Sequence, residues 1–135
     1  MAIGNRMYPR CHALLPLKGL DWEADDVKAS ALGDGYTYDP AHQSFADLTD
    51  VIDTVDVPDR AVSLTGEWSC GSLSPGPVIG GSDTMTRVVM WLDSGTPSTS
   101  WLLLYLDTNS DLTEILREGD GSAVTVPFPT ALYVP

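Results

Sequence analysis

Chemistry in this chain would have to be assembled from few reactive groups: His12 and His42, Cys11 and Cys70, and nineteen carboxylates. A hydrolytic or transfer site needs a nucleophile, a base and a group that orients the base, all within hydrogen-bond reach. Either histidine could meet an aspartate in three dimensions. The nucleophile is what is missing, because no serine or cysteine lies in a glycine-framed turn that would expose an attacking side chain. The stretch Gly71-Ser72-Leu73-Ser74-Pro75-Gly76 has the composition of such a turn without its spacing. Both histidines therefore read as structural or surface residues. The expectation is no enzyme, no catalytic residue and no cofactor. The start MAIGNRMYPR lacks an apolar run of signal-peptide length, so Cys11 and Cys70 read as free buried thiols.

Metal ligation is the second chemistry to weigh. Asp107-Thr108-Asn109-Ser110-Asp111 offers oxygens at alternate positions, and Glu118 stands where a calcium loop places its bidentate carboxylate. Leu112 occupies the position at which such a loop needs glycine, and the preceding segment reads as a strand. Helix capping by Asn109 or Ser110 accounts for the same residues. Asp21-Trp22-Glu23-Ala24-Asp25-Asp26 is dense in carboxylates but lacks a glycine and a closing acid. No metal site is expected. Of the four tryptophans, Trp22, Trp68, Trp91 and Trp101, the expected use is as core or interface anchors. Exposed, Trp91 and Trp101 would instead suit carbohydrate.

The elements that must position these residues are short. Met7, Cys11, Leu14 and Leu15 form one apolar stripe at helical spacing, which Pro16 and Gly19 end. Val27 to Leu32 reads as a strand, and Tyr36-Thr37-Tyr38 as an extended piece closed by Asp39-Pro40. Phe45, Leu48, Val51 and Ile52 repeat at helical spacing, and 53–59 reads as loop. Ala61 to Trp68 alternates like a strand, and 71–81 is a Gly/Ser/Pro-rich loop within a longer connection over 69–83. Thr86 to Asp93 and Ser100 to Asp107 are apolar on both faces around a Ser94–Thr99 turn, the pattern of central strands covered on each side. Ser110 to Glu118 predicts a short helix with Leu112, Ile115 and Leu116 inward, and Ala123 to Phe128 a last strand near an edge. The expected fold is mainly β: a β-sandwich or partly closed barrel with one to three short helices. Residues 1–18 form a basic arm or short helix, and 19–135 a single β-rich domain.

The formal charge of −12 over 135 residues removes the electrostatic basis for nucleic acid or an anionic membrane as partner. The longest apolar run, Trp101 to Leu106, is too short to span a bilayer. Along the chain the charge separates into +3 over 1–18, −10 over 19–59 and −5 over the remainder. A basic segment ahead of an acidic body suits a subunit that docks on a partner. A solvated acidic face is the plainer account of the acids.

Several short motifs occur in a fixed order: Asn5-Arg6-Met7-Tyr8; Asp21-Trp22 with Asp25-Asp26-Val27-Lys28-Ala29; Tyr36-Thr37-Tyr38-Asp39 with His42-Gln43-Ser44-Phe45; Val88 to Asp93; Gly95; Thr99-Ser100; Leu103 to Asp107; and the β segment from Val124. In that order they resemble a family of small tailed-bacteriophage virion structural proteins, over nearly the whole chain. The departures are Pro9, Pro16 and the 69–83 loop. The resemblance implies a non-enzymatic β-rich subunit, assembled in the bacterial cytoplasm and located in the virion. The expected role is a capsid decoration protein, trimeric, bound to the major capsid protein. The alternative is a tail, baseplate or fibre component, with a carbohydrate-binding role at the host surface as a further possibility. Arg6, Tyr8, Arg10, Trp91 and Trp101 are the expected partner-binding residues.

Overall fold

Strands apolar on both faces need cover on both faces, and that requirement organises the molecule. The computed structural model describes residues 5–15, 17, 19–65, 67–73, 76–108 and 115–126. In chain order these form β1 (Arg6–Met7), α1 (Pro9–Leu14), β2 (Val27–Leu32), β3 (Val51–Asp56), β4 (Ala61–Val62), β5 (Trp68–Ser69), β6 (Thr84–Met85), β7 (Arg87–Leu92), β8 (Leu102–Leu106) and β9 (Arg117–Glu118). Five strands make one antiparallel sheet in the order β1-β8-β7-β2-β3, while β4-β5 and β6-β9 are separate pairs. The protein is mainly β, and its sheet stays open instead of closing into a barrel.

The alternation along β7 explains how the sheet sits. Val88 and Met90 enter one core with Trp22, Trp68, Leu73, Ile79 and Ile115. Val89 and Trp91 enter the other, with Tyr8, Tyr36 and Tyr105. The hairpin of β7 and β8 is thus central and buried, as its two-faced pattern predicts.

Elsewhere the structure corrects the local reading. Phe45 and Leu48 do not begin a helix that runs to Ile52. Only Phe45–Asp47 makes a single 3-10 turn, held by a capping box of Ser44 and Asp47. Leu48 is extended, Asp50 has φ of 55°, and Val51 and Ile52 open β3. Most of 53–59 is therefore strand too. The competing preference comes from the β-branched Val51, Ile52, Thr54 and Val55, which favour extended backbone and satisfy the open edge of β2. Ala61 to Trp68 is a tight hairpin in place of one strand, because the Ser63 hydroxyl accepts from the N–H groups of Thr65 and Glu67 and turns the chain.

The C-terminal half differs as well. Ile115 is buried, but Leu116 points outward, and Arg117–Glu118 pair with β6 as strand. The expected helix otherwise falls on 110–114, outside the described residues. Ala123 and Val126 make isolated bridges to Val78 and Leu73, so the 71–81 loop and the chain's end hold each other. Phe128 lies outside the described residues. Tyr36-Thr37-Tyr38 joins no ladder.

The N-terminal segment forms the short helix of the two expected alternatives, and its described part packs on the sheet. A helix forms at Pro9–Leu14, but Met7 precedes it in β1 and pairs with Leu104. Cys11 is buried, and the Tyr8 amide donates to the Leu103 carbonyl at 2.9 Å. Asn5 Oδ1 accepts from the amides of Asp107 and Thr108. Residues 5–15 are therefore the outer cover of β8. Among the described residues, no helix is long and apolar enough to cross a membrane.

Candidate functional site

The cations divide by what they hold. Lys28 bridges Asp26 and Asp56, and Arg87 reaches Asp34 at 3.3 Å and the Tyr36 carbonyl. Arg60 donates to four backbone carbonyls, those of Trp22, Glu23, Asp25 and Val57. Arg10 has neither kind of partner among the described residues. Its guanidinium lies 4.0 Å from the centroid of the Trp101 ring, and its Nε is buried without an acceptor. A buried N–H left unpaired is rare enough to require a reason. Arg6, on β1 of the same segment, is exposed and stands 5.7 Å from the centroid of the Tyr38 ring.

The other expected partner residues are placed differently. Tyr8 is fully enclosed, and Trp91 is 7% exposed, so neither presents a docking surface. Trp91 packs on Phe45 at 4.4 Å between ring centroids and donates its indole N–H to Ser30 Oγ at 2.9 Å. Trp101 is half-buried, with Arg10 over its ring. Trp22 and Trp68 stack at 4.9 Å in the core. Trp91 is thus a core anchor, the expected use of the tryptophans, and not an exposed platform for sugar.

A second site comes from residues with no spacing pattern in the sequence. Tyr8, Tyr36, Tyr38 and Tyr105, four of the five tyrosines, cluster on one side of the sheet with ring centroids 5.1 to 6.4 Å apart. Tyr8 Oη lies 2.7 Å from Tyr36 Oη, which lies 2.9 Å from His42 Nδ1. Burial pushes the Tyr36 phenol up to about 12, and pushes Tyr8 up still further, so both stay protonated near neutrality. Among the described residues Tyr8 Oη hydrogen-bonds to Tyr36 Oη, and the arrangement that pairs both phenol protons has Tyr8 donating to Tyr36. In that arrangement Tyr36 donates to His42 Nδ1, which requires the Nε2–H tautomer of the imidazole.

His42 lines an open cleft of about 480 Å³ together with Tyr36, Tyr38, Asp39 and Asp47. Asp39 spends one carboxylate oxygen on the Ala41 amide, and Asp47 one on the amides of Gln43 and Ser44. Those two amides hold the Asp47 carboxyl below the usual carboxylate range. One oxygen of each carboxylate is left uncommitted by the described residues.

The remaining candidates are accounted for by the fold. Cys11 and Cys70 are free thiols, and burial pushes them up to about 12 and about 11, which suppresses the nucleophilic thiolate. Asp21 Oδ1 accepts from the Glu23 and Ala24 amides and Asp25 Oδ2 from the Asp21 amide, so this loop uses its carboxylates on its own backbone. Asp107 is buried and accepts from Thr108 Oγ1, while Glu118 belongs to β9; 109–114 lie outside the described residues. Among the described residues, no three His, Cys, Asp or Glu side chains gather to hold a metal ion. No family model, curated protein or solved structure matches this chain.

Proposed function

We propose that this chain is a structural protein of a tailed-phage virion, a decoration subunit that docks on the head shell. The ordered motifs from Asn5 to Val124 support the virion setting. The observation that carries docking is Arg10: a guanidinium packed over Trp101, with no acid paired to it among the described residues of a chain of charge −12. The side chain is half-buried, and its guanidinium over Trp101 suits a carboxylate or carbonyl supplied by a neighbour, such as the major capsid protein or a second copy in a trimer. Raised thiols, and a histidine that faces a phenol instead of a nucleophile, support a non-enzymatic role. Such a subunit would stiffen a shell by bridging capsid proteins at their junctions.

Removing the whole N-terminal segment would be a poor test, because it would take β1 and Cys11 from the fold. Point substitutions separate docking from folding. R10E and R10E/W101A proteins should keep the wild-type circular dichroism spectrum and lose at least about tenfold in binding to decoration-free heads. Copy number in purified particles should reach hundreds, since a tail component is present in far fewer copies. Undiminished binding of R10E, or absence of the protein from heads, would overturn the reading.

A further inference from the structure

We propose that the cleft beside His42 binds a neutral saccharide of one or two sugar units, a site separate from Arg10 and independent of the virion setting. Three features of the cleft converge on a polyol. The first is a polar relay: the chain Tyr8 to Tyr36 to His42, at 2.7 and 2.9 Å, occupies Nδ1, and with Tyr8 as the first donor Nε2–H is the group His42 offers a ligand. The second is a pair of anchored acceptors. Asp39 and Asp47 are each held by loop amides through one oxygen, so the other oxygen is positioned at little entropic cost. An ionised carboxylate accepting a hydroxyl makes a short, strong hydrogen bond. The third is an apolar lining from Pro40 and the part of Tyr38 that Arg6, Tyr8 and Tyr105 leave uncovered, which suits the C–H groups of a sugar.

Size and charge narrow the class. A volume of about 480 Å³ lies within the range of small-molecule sites. Among the described residues no Lys or Arg lines the cleft, whereas two aspartates do, so phosphates, nucleotides and acidic sugars are disfavoured. The nearest cations are already engaged: Arg87 with Asp34 and the Tyr36 carbonyl, and Arg6 against the Tyr38 ring. A neutral polyol uses both donors and acceptors of this lining.

The test is an amide chemical-shift titration of the isotope-labelled protein with methyl glycosides of glucose, galactose, mannose and N-acetylglucosamine, and with lactose and maltose. At least one of these should give saturable shifts confined to residues 35–49. Asp39 is exposed, and Asn in its place still accepts from the Ala41 amide, so D39N should fold normally. D39N should bind that sugar about fivefold more weakly, and H42A about tenfold more weakly. The proposal is overturned if no sugar in the panel saturates. It is equally overturned if the shifts gather at Trp91 and Trp101, if D39N binds as tightly as wild type, or if arginine amide or sialic acid saturates the same amides as tightly. Docking through Arg10 is read on heads with R10E, so the failure of either site leaves the other standing.

Discussion

At the scale of single residues, polar groups in this protein act mostly by satisfying backbone. Arg60 is the clearest case. Its Nε donates to the Trp22 carbonyl at 2.6 Å, Nη1 to Val57 at 2.7 Å, and Nη2 to Glu23 and Asp25. A planar fork with five fixed donors can serve four carbonyls arranged around it, whereas an ammonium on a flexible stem cannot. Both R60A and R60K should therefore lose about 2 kcal/mol in urea unfolding. Retention of stability by R60K would show that charge alone suffices there. Arg10 is the counterexample, a cation placed over an aromatic ring with no carbonyl or carboxylate to serve among the described residues. Nothing in its sequence neighbourhood distinguishes it from Arg6 or Arg60, because the difference lies in which atoms the fold brings within reach.

At the scale of elements, the short strands are set by what lies across from them. β3 exists because β2 offers an edge and because Val51 to Val55 tolerate extended backbone, despite an apolar spacing that also fits a helix. The 71–81 loop behaves similarly. It is rich in Gly, Ser and Pro, yet Leu73 and Ile79 are core residues, and the loop lies backbone to backbone against the C-terminal segment. Glycine permits that approach. A Cβ at Gly119 would stand 1.7 Å from the Gly80 carbonyl oxygen, and one at Gly76 would stand 2.0 Å from that of Val124. G119A should consequently cost about 3 kcal/mol, through forced separation of the two segments. Gly81 has nothing within 4 Å of the same position, so G81A should change the melting temperature by no more than about 1 °C. Equal melting of the two variants would mean that the close approach at Gly119 is dispensable.

At the scale of the whole molecule, stability should be asymmetric in pH. Cys11, Cys70, Tyr8, Tyr36 and Tyr105 are all pushed upward by burial, with values of about 12, 11, 12 and 12 for Cys11, Cys70, Tyr36 and Tyr105. An unfolded chain releases these protons near pH 8.5 for thiols and about 10 for phenols. Between those values and the native ones the unfolded state binds fewer protons, so stability falls as pH rises. It is intact below about pH 8.5 and erodes from there toward about pH 12. On the acid side, the depressed carboxyl of Asp47 stabilises the fold above about pH 4 and ceases to do so as pH drops through its native value. Thermal unfolding followed by circular dichroism should be flat near neutrality, with an alkaline decline. Phenolate absorbance should show at least three tyrosines ionising above about pH 10, together with loss of native signal. Ordinary phenol titration in the folded protein would refute burial of this cluster.

Three properties were decided by the chain alone. The mainly β character, the β7–β8 hairpin and its burial on both faces were legible, because apolar periodicity and a Ser/Gly/Pro turn are local patterns that any fold of this sequence must accommodate. The scarcity of nucleophile and base was equally plain in the residue types. Only the tertiary structure decided that residues 5–15 cover β8, that Trp91 is core, and that Tyr8, Tyr36 and His42 form one hydrogen-bonded chain. The Tyr8–Tyr36 hydrogen bond joins positions 28 residues apart, that of Trp91 to Ser30 joins positions 61 apart, and the β1–β8 pairing joins positions farther apart still. No spacing rule encodes them, because they follow from which sheet edges and faces remain to be covered once the central strands have paired.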